Sequence, residues 1–204
     1  MKQPVDEKVI LAIKDLGDPR DTYLLSKIFG EAMCRHSGLP FLIFRPHNIY
    51  GPRMGFSHVI PELINKIKFE KKINVFSPYH SRAFCFIDDG ALGTILAMEC
   101  EEASSDIFHI GSDEEITIEE LVIEAGKFFN YVGNYEMADT YPGSVSRRCP
   151  DLSKAKEMLG YEVRTKWQDG LTKTLQWYSD YFLNKNPKNN IIKTKNAQRS
   201  FIVI

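Results

Sequence analysis

Tyr23 and Lys27 lie four residues apart in the segment DTYLLSKIFGE, the part of the sequence best suited to proton transfer. Apolar residues recur around them at helical spacing, so the segment is predicted to form an amphipathic helix. Side chains at positions i and i+4 share one face of a helix, which would bring the phenol and the ammonium together. A cation within about 4 to 6 Å of a phenol favours its ionised form, and an ionised phenol can act as a base. An ordinary surface helix could carry the same pair, so the spacing alone leaves the function open.

The residues that follow this helix predict half of a parallel α/β unit. The helix is expected to end near His36, because Gly38 and Pro40 come directly after it. Residues 41–44 then form a continuous apolar run of strand length, which is typical of a strand buried on both faces. Residues 1–20 have only a short apolar stretch and are predicted to be a surface loop.

The loop at residues 45–55, RPHNIYGPRMG, is a candidate binding site because of its position. It directly follows the predicted strand and is rich in proline, glycine and arginine. Ligands of parallel α/β sheets bind beyond the carboxyl ends of the strands. A turn-rich connection with a few charges would have the same composition, and that alternative stays open.

Further helices and strands are predicted along the rest of the chain. The helices are expected at 59–69, 90–102, 116–130, 152–159 and 168–183, and the strands at 73–76, 82–87 and 106–110. Asp88 and Asp89 are expected to cap the helix that follows them, and Thr117 with Glu120 has the spacing of a capping box. Residues 131–146 are predicted to be irregular.

Composition excludes several classes of function. The 204 residues include 26 basic and 27 acidic ones, and 43% are hydrophobic, as in a soluble globular protein of one or two domains. With a formal net charge of −1, no overall charge attracts nucleic acid or an anionic membrane. The four cysteines form no CxxC pair, so reduced thiols and no metal site are expected. No apolar run suits a signal peptide or a membrane span, so a cytoplasmic location is expected.

Four motifs in this order resemble the extended short-chain dehydrogenase/reductase superfamily, in particular its NAD-dependent nucleotide-sugar epimerases, dehydratases and decarboxylases. They are Tyr23-x-x-x-Lys27, RPHNIYGPR at 45–53, RAFCFIDD at 82–89, and RRCPD at 147–151 with the LSKAKEMLGY segment after it. The resemblance extends over residues 1 to about 183. It implies an α/β fold, the C-terminal part of a Rossmann-type doubly wound parallel sheet plus a small mixed α/β substrate-binding subdomain.

The resemblance also implies a division of the chain. Residues 1–50 and 88–112 would form the partial Rossmann-type domain that carries the Tyr/Lys helix. Residues 51–87 and 113–183 would form the nucleotide-sugar substrate subdomain. Residues 184–204, which are basic and asparagine-rich, would be a flexible tail.

NAD is the cofactor that the resemblance implies. Tyr23 would be the acid/base that takes the sugar hydroxyl proton, and Lys27 would hold the hydroxyls of the nicotinamide ribose. Pro46 and His47 would approach the nicotinamide end of the cofactor.

The implied substrate is a nucleotide-diphosphate sugar, with a UDP-sugar as the first choice. Asn48, Arg82 and Arg148 match positions that bind the diphosphate, and arginines suit phosphate because their forked donors are permanently charged. Val59 and Asn74 would lie beside the nucleotide base. Whether the reaction is an epimerisation, a dehydration or a decarboxylation stays open.

The sequence departs from the family pattern ahead of Tyr23. It has neither the strand and glycine-rich turn that support the NAD pyrophosphate, nor the serine or threonine that binds the reacting hydroxyl. The chain is therefore expected to need a complementary N-terminal fragment or a homologue and to expose a strand edge at 41–45. The complete protein is expected to be a homodimer. The alternative is a non-catalytic remnant that binds a nucleotide sugar or a partner.

Overall fold

Helices and strands alternate along the chain, as the sequence predicts for an α/β protein. The computed structural model describes residues 3–13, 19–140 and 145–184. The helices are α1 (Pro19–Arg35), α2 (Val59–Phe69), α3 (Ile87–Glu99), α4 (Ile118–Phe128), α5 (Ser153–Leu159) and α6 (Trp167–Asn184), with a short 3-10 helix at Glu101–Ala103. The strands are β1 (Leu42–Pro46), β2 (Ile49–Tyr50), β3 (Lys72–Phe76), β4 (Ser81–Ala83), β5 (Cys85–Phe86), β6 (Asp106–Ile110), β7 (Glu115–Thr117), β8 (Asn134–Ala138) and β9 (Arg147–Arg148).

The predicted parallel unit is present. Strand β1 pairs in parallel with β6, from Leu42 opposite Asp106 to Pro46 opposite Ile110. Parallel pairs also join β2 to β5 and β3 to β8. A three-stranded sheet has the order β7-β4-β9, in which β4 is antiparallel to β7 and parallel to β9. Within the part of the chain that the structure describes, β1 has one strand neighbour, β6.

Helix α1 forms where the sequence predicts it. Asp21 in its first turn and Arg35 in its last turn both match the helix dipole. Gly38 beyond its end has a left-handed backbone with φ 73°, a conformation that glycine adopts without strain. The helix therefore ends within one residue of the predicted position and leads into β1.

Two apolar clusters hold the elements together. The larger lies between α2, α4, α6 and the strands beside them, and it includes Tyr50, Ile64, Leu121, Leu171 and Tyr178. The smaller joins β6, α3 and α5 through Phe108, Ile110, Ala155, Leu159 and Tyr161. Each large side chain that is buried in this way contributes about 1.5 to 3 kcal/mol relative to exposure. Burial of these clusters is what keeps the loops between strands and helices in place.

Local predictions were wrong for residues 131–146, for the strand at 82–87 and for the capping role of Asp88 and Asp89. Residues 131–146 are not all irregular, because β8 pairs with β3 in this region. The segment at 82–87 is two short strands rather than one, and α3 already begins at Ile87. Two predictions are confirmed, since β6 has the predicted bounds and Thr117 with Glu120 forms the capping box of α4.

Asp88 and Asp89 therefore lie inside the first turn of α3, and neither is its N-cap. The buried Asp89 carboxylate instead accepts the backbone N–H groups of Arg164 and Thr165, each at 3.0 Å. This aspartate attaches the loop before α6 to α3.

Among the described helices, none is long and apolar enough to cross a membrane. The predicted tail lies outside the described residues except for Asn184, where α6 ends. The division into two subdomains stays a prediction.

Candidate active site

Helix α1 brings Tyr23 and Lys27 together as the spacing predicts. The Lys27 ammonium lies 5.1 Å from the centroid of the Tyr23 ring. The tyrosine is 47% exposed, so a ligand can reach its hydroxyl. The two residues thus form a phenol and ammonium pair on an open face of the helix.

Glu31 anchors the same helix to the end of β1. Arg45 donates from Nε and Nη2 to the two Glu31 carboxylate oxygens, both at 2.7 Å, and the side chains are only 15% and 16% exposed. Arg45 also donates from Nη1 to the Glu7 carbonyl at 3.0 Å. The hydrogen bonds from Arg45 lower the pKa of Glu31. Because Tyr23, Lys27 and Glu31 recur every four residues, this ion pair orients the face that carries the tyrosine.

His47 lies directly beyond β1 and is held from two sides. Its backbone N–H donates to the Ile110 carbonyl at 2.9 Å, and its ring lies edge-on to His109 with 4.5 Å between centroids. Burial, together with the charges of His109, Arg148 and Arg45, lowers the pKa of His47 to about 4. Its Nε2 is buried and has no hydrogen-bond partner among the described residues. His47 is therefore a neutral imidazole near pH 7 with one unsatisfied ring nitrogen.

Neighbouring residues make room for His47. A Cβ at Gly111 would lie 3.0 Å from the His47 Cβ, so a side chain at this position would press against His47. The His109 backbone N–H donates to the Glu7 carboxylate at 2.8 Å, which ties the segment at residues 3–13 to β6. Pro46, the last residue of β1, is exposed beside this group.

Asn48 connects the loop after β1 to the junction of β4 and β5. It has a left-handed backbone with φ 44°, which asparagine tolerates better than most residues. Its Nδ2 donates to the Ala83 carbonyl at 3.1 Å, and its own carbonyl accepts the Cys85 N–H at 3.2 Å. The amide thus lies one residue away from Arg82 on the neighbouring strand.

Arg82 and Arg148 lie directly opposite each other in the parallel pair of β4 and β9. Arg82 is only 4% exposed and donates from Nη1 to the Ser81 carbonyl at 2.7 Å. Its Nε has no partner among the described residues, and burial together with the charge of Arg148 lowers the pKa of Arg82 to about 10. Two adjacent guanidinium groups with a buried, unsatisfied N–H form a place where an anion would be stabilised.

The remaining predicted site residues lie elsewhere. Val59 is the first residue of α2 and packs against the larger apolar cluster. Asn74 is exposed on β3, opposite Glu136 of β8. Their predicted contacts with a nucleotide base stay predictions. Among the described residues, no group of three or more histidine, cysteine, aspartate or glutamate side chains is placed to hold a metal ion.

Sequence reasoning missed the contributions of Arg45 and His109. Arg45 is part of the RPHNIYGPR motif, and Glu31 continues the four-residue spacing of Tyr23 and Lys27, so a signal for their pairing existed. His109 lies in an apolar strand far along the chain, and no local pattern connects it with His47.

The parallel strands, the Tyr/Lys helix beside β1 and the arginine pair define a protein of the Rossmann-type dehydrogenase/reductase class. Residues 2–111 match the NAD dependent epimerase/dehydratase family, and the chain belongs to this family. The predicted family and fold class are thereby confirmed.

Two curated relatives show the range of the family. The chain is 29% identical to UDP-N-acetyl-alpha-D-glucosaminuronate decarboxylase of Bacillus cytotoxicus over 174 residues, which are 79% of this chain and 54% of the relative. It is 31% identical to putative GDP-L-fucose synthase 2 of Oryza sativa over 193 residues, which are 86% of this chain and 54% of the relative. The chain thus spans about half the length of the curated relatives that it matches.

Solved structures agree on the fold. UDP-glucuronic acid 4-epimerase from Bacillus cereus, in complex with NAD, superposes with a TM-score of 0.75 at 23% identity, over 90% of this chain and 56% of that one. UDP-glucose 4-epimerase from Thermotoga maritima superposes with a TM-score of 0.68 at 24% identity, over 78% of this chain and 52% of that one.

Proposed function

We propose that this chain supplies the tyrosine base and the substrate-binding groups of an NAD-dependent nucleotide-sugar epimerase, dehydratase or decarboxylase. The observation that carries the proposal is the arginine pair, in which the buried Arg82 lies opposite Arg148 with its Nε unsatisfied. Burial and the charge of Arg148 both disfavour the positive charge of Arg82, and an anion that accepts a hydrogen bond from the Arg82 Nε would offset that cost. A nucleoside diphosphate provides that anion.

The diphosphate would bind to Arg82, Arg148 and Asn48. Arg82 and Arg148 would donate to its oxygens, and the remaining N–H of the Asn48 amide would donate from the adjoining loop. Several relatives and solved structures are named as enzymes that act on UDP-sugars, and this supports a UDP-sugar as the substrate. Relatives named as GDP-L-fucose synthases make a GDP-sugar the competing choice.

The residues present fit the nicotinamide end of NAD. A neutral imidazole at His47 adds no positive charge beside a cationic nicotinamide ring, and its unsatisfied Nε2 could bind a polar group there. Lys27 would hold the hydroxyls of the adjoining ribose, and Pro46 would lie against the ring. When bound, NAD supplies the acceptor for a hydride from the sugar carbon and later returns it.

Tyr23 would carry the proton in this reaction. As the hydride leaves the sugar carbon, the hydroxyl proton passes to the Tyr23 Oη, and it returns from there when the ketone is reduced. The bidentate ion pair between Glu31 and Arg45 holds α1 in a fixed position relative to the end of β1.

We further infer that the active unit includes a complementary N-terminal segment or a homologue, and that it forms a homodimer. The chain spans about half the length of its relatives, and the sequence before Tyr23 has no glycine-rich turn for the NAD pyrophosphate. A second candidate, a nucleotide-sugar binder without turnover, is supported by the location of the arginine pair, since both arginines belong to this chain.

Calorimetric titration of the full chain with UDP tests the anion site. Wild-type protein is expected to bind UDP, and R148M is expected to weaken binding at least about tenfold, since a charged hydrogen bond is worth about 1.5 to 3 kcal/mol. R164M removes an equal charge from an exposed arginine and serves as the matched control. Equal losses in both variants would disprove the assignment.

Turnover separates the two candidate functions. With a complementary N-terminal segment supplied, Y23F is expected to abolish conversion of nucleotide sugars while UDP affinity is unchanged. Unchanged turnover by Y23F would disprove the role given to Tyr23. If the chain binds UDP but converts no nucleotide sugar, with or without the N-terminal segment, the result would favour the second candidate, a binder without turnover.

A further inference from the structure

A second polar cluster lies on the back of the sheet that carries the arginine pair. Arg147 donates from Nε to Glu115 Oε2 at 2.8 Å and from Nη2 to Glu115 Oε1 at 2.6 Å. The Ser81 hydroxyl donates to the same carboxylate at 2.8 Å. These three residues come from β9, β7 and β4, so the cluster extends across all three strands of one sheet.

The pairing register of β4 with β7 and β9 places this cluster on one face of the sheet and the arginine pair on the other. Ser81 pairs with Arg147, and Arg82 pairs with Arg148. Because successive side chains of a strand point to opposite faces, Ser81 and Arg147 share one face while Arg82 and Arg148 share the other. Glu115, opposite Ala83 in β7, lies on the face of Ser81. The carboxylate thus reaches over the central strand to the outer strand that carries Arg148.

Strand β9 pairs with β4 over only two residues. The residues that follow β9 are also tied to the segment at 3–13, where the Val5 N–H donates to the Cys149 carbonyl at 3.0 Å. Arg148 on the other face of β9 lies opposite Arg82 of β4, and its charge disfavours the charge of Arg82, so the approach of β9 to β4 carries an electrostatic cost. The pair with Arg147 opposes this electrostatic cost, and it is strong enough to lower the pKa of Glu115 to about 2. Arg147 also donates to the Gln3 carbonyl at 3.4 Å, which brings in the segment at 3–13.

We propose that Ser81, Glu115 and Arg147 form a positioning clamp for the anion site. The clamp holds β9 against β4, so that Arg148 remains beside Arg82 and both guanidinium groups can engage one diphosphate. None of the three clamp residues touches the ligand. The inference rests on the proposed function, because it assumes that the arginine pair binds a diphosphate.

The test is a titration of the full chain with UDP and with inorganic pyrophosphate. E115Q is expected to weaken both ligands about tenfold, because the amide offers Arg147 one acceptor oxygen in place of two and carries no negative charge. E114Q is the matched control, since it removes the same charge from the exposed neighbouring residue and should leave both affinities unchanged. S81A, which removes one hydrogen bond, is expected to cause a smaller loss and serves if E115Q does not fold.

A mutant cycle with Arg148 separates positioning from general stabilisation. In an R148M background, E115Q is expected to cause no further loss of affinity, because the group that the clamp positions is gone. The charge-reversed pair E115R with R147E is expected to restore affinity to within about twofold of wild type, since the same bridge reforms with opposite polarity.

Each outcome separates the clamp from the proposed function. If wild-type protein binds neither UDP nor pyrophosphate, the proposed function is overturned and the clamp with it. If wild type binds but E115Q and E114Q behave alike, only the clamp is overturned. An equal loss from E115Q with and without Arg148 would likewise overturn it, because the effect would then be general destabilisation.

Discussion

His47 shows at the scale of one residue how burial sets chemistry in this site. Its imidazole lies against His109 and near Arg45 and Arg148, in surroundings that disfavour a proton. Protonation of His47 costs more free energy in the folded chain than in the unfolded chain. The free energy of unfolding therefore falls when the pH is low enough to protonate this histidine. Stability should therefore depend on pH in a way that one substitution can reveal.

The sign follows from the direction of the pKa shift. The pKa of His47 is about 4 in the folded chain against 6.5 as its ordinary value, so between these limits the unfolded chain binds more protons. The contribution of His47 to the free energy of unfolding is therefore constant above pH 6.5, and the chain loses stability as the pH falls from 6.5 towards 4. H47Q, which cannot titrate, is expected to reduce the loss of unfolding free energy between pH 7.5 and pH 5 by about 1 to 2 kcal/mol.

Urea denaturation at the two pH values measures this difference. H36Q replaces an exposed histidine and should leave the pH dependence as in wild type. The carboxylates of Glu31 and Glu115, whose pKa values are lowered, lose their contributions below pH 4.5 and do not interfere. An unchanged pH dependence in H47Q would show that His47 is not the titrating group.

Single residues differ in how far the sequence reveals them. Tyr23 and Lys27 could be predicted because their contact lies within one helix, where spacing determines proximity. Arg82 and Arg148 could be assigned only through the resemblance of their motifs, and their pairing across two strands depends on register. Glu115 and Arg147 are 32 residues apart, and no local rule connects them.

At the scale of elements, the contact between α1 and β1 depends on one ion pair. Glu31 and Arg45 are mostly buried, so solvent screens their attraction less than it screens a surface pair. Removing the charge of Glu31 would leave Arg45 partly buried without its carboxylate partner. The loss of unfolding free energy should therefore exceed the loss caused by breaking an exposed ion pair.

E31Q is expected to lower the unfolding free energy at pH 7 by about 1 to 2 kcal/mol, the usual worth of a charged hydrogen bond. E124Q is the matched control, because Glu124 pairs with Lys127 at i,i+3 on an exposed helix face. It should cost no more than about 0.5 kcal/mol. Urea denaturation of both variants measures the difference, and equal effects would mean that the pair does not anchor α1.

Elements with a strong apolar period or a clear cap could be predicted from the sequence. Strand β1 begins with three apolar residues, β6 contains Ile107, Phe108 and Ile110, and α4 begins with a capping box. Strand β8 was missed because its sequence, NYEMA, is short and mostly exposed, and its alternation includes only Tyr135 and Met137 as large apolar residues. It exists through pairing with β3, and a single sequence does not show that long-range contact.

At the scale of the whole molecule, two uncovered features of the described chain are one edge of β1 and apolar side chains of α1. Strand β1 has β6 as its one neighbour among the described residues, so its other edge presents backbone hydrogen-bonding groups. On α1, Leu25, Phe29 and Met33 are 45%, 63% and 60% exposed. An open strand edge and exposed apolar side chains each favour association with another chain.

Purified chain at micromolar concentration is therefore expected to self-associate or aggregate, and to become more uniform when a complementary N-terminal segment is present. Light scattering coupled to gel filtration measures this as an average mass of at least twice that of one chain. F29E places a charge on the α1 surface and should reduce association if that surface takes part, whereas association that persists in F29E assigns the contact to the β1 edge. A stable monomer at every concentration would disprove the prediction, because it would mean that the uncovered edge and helix face do not drive contact between chains.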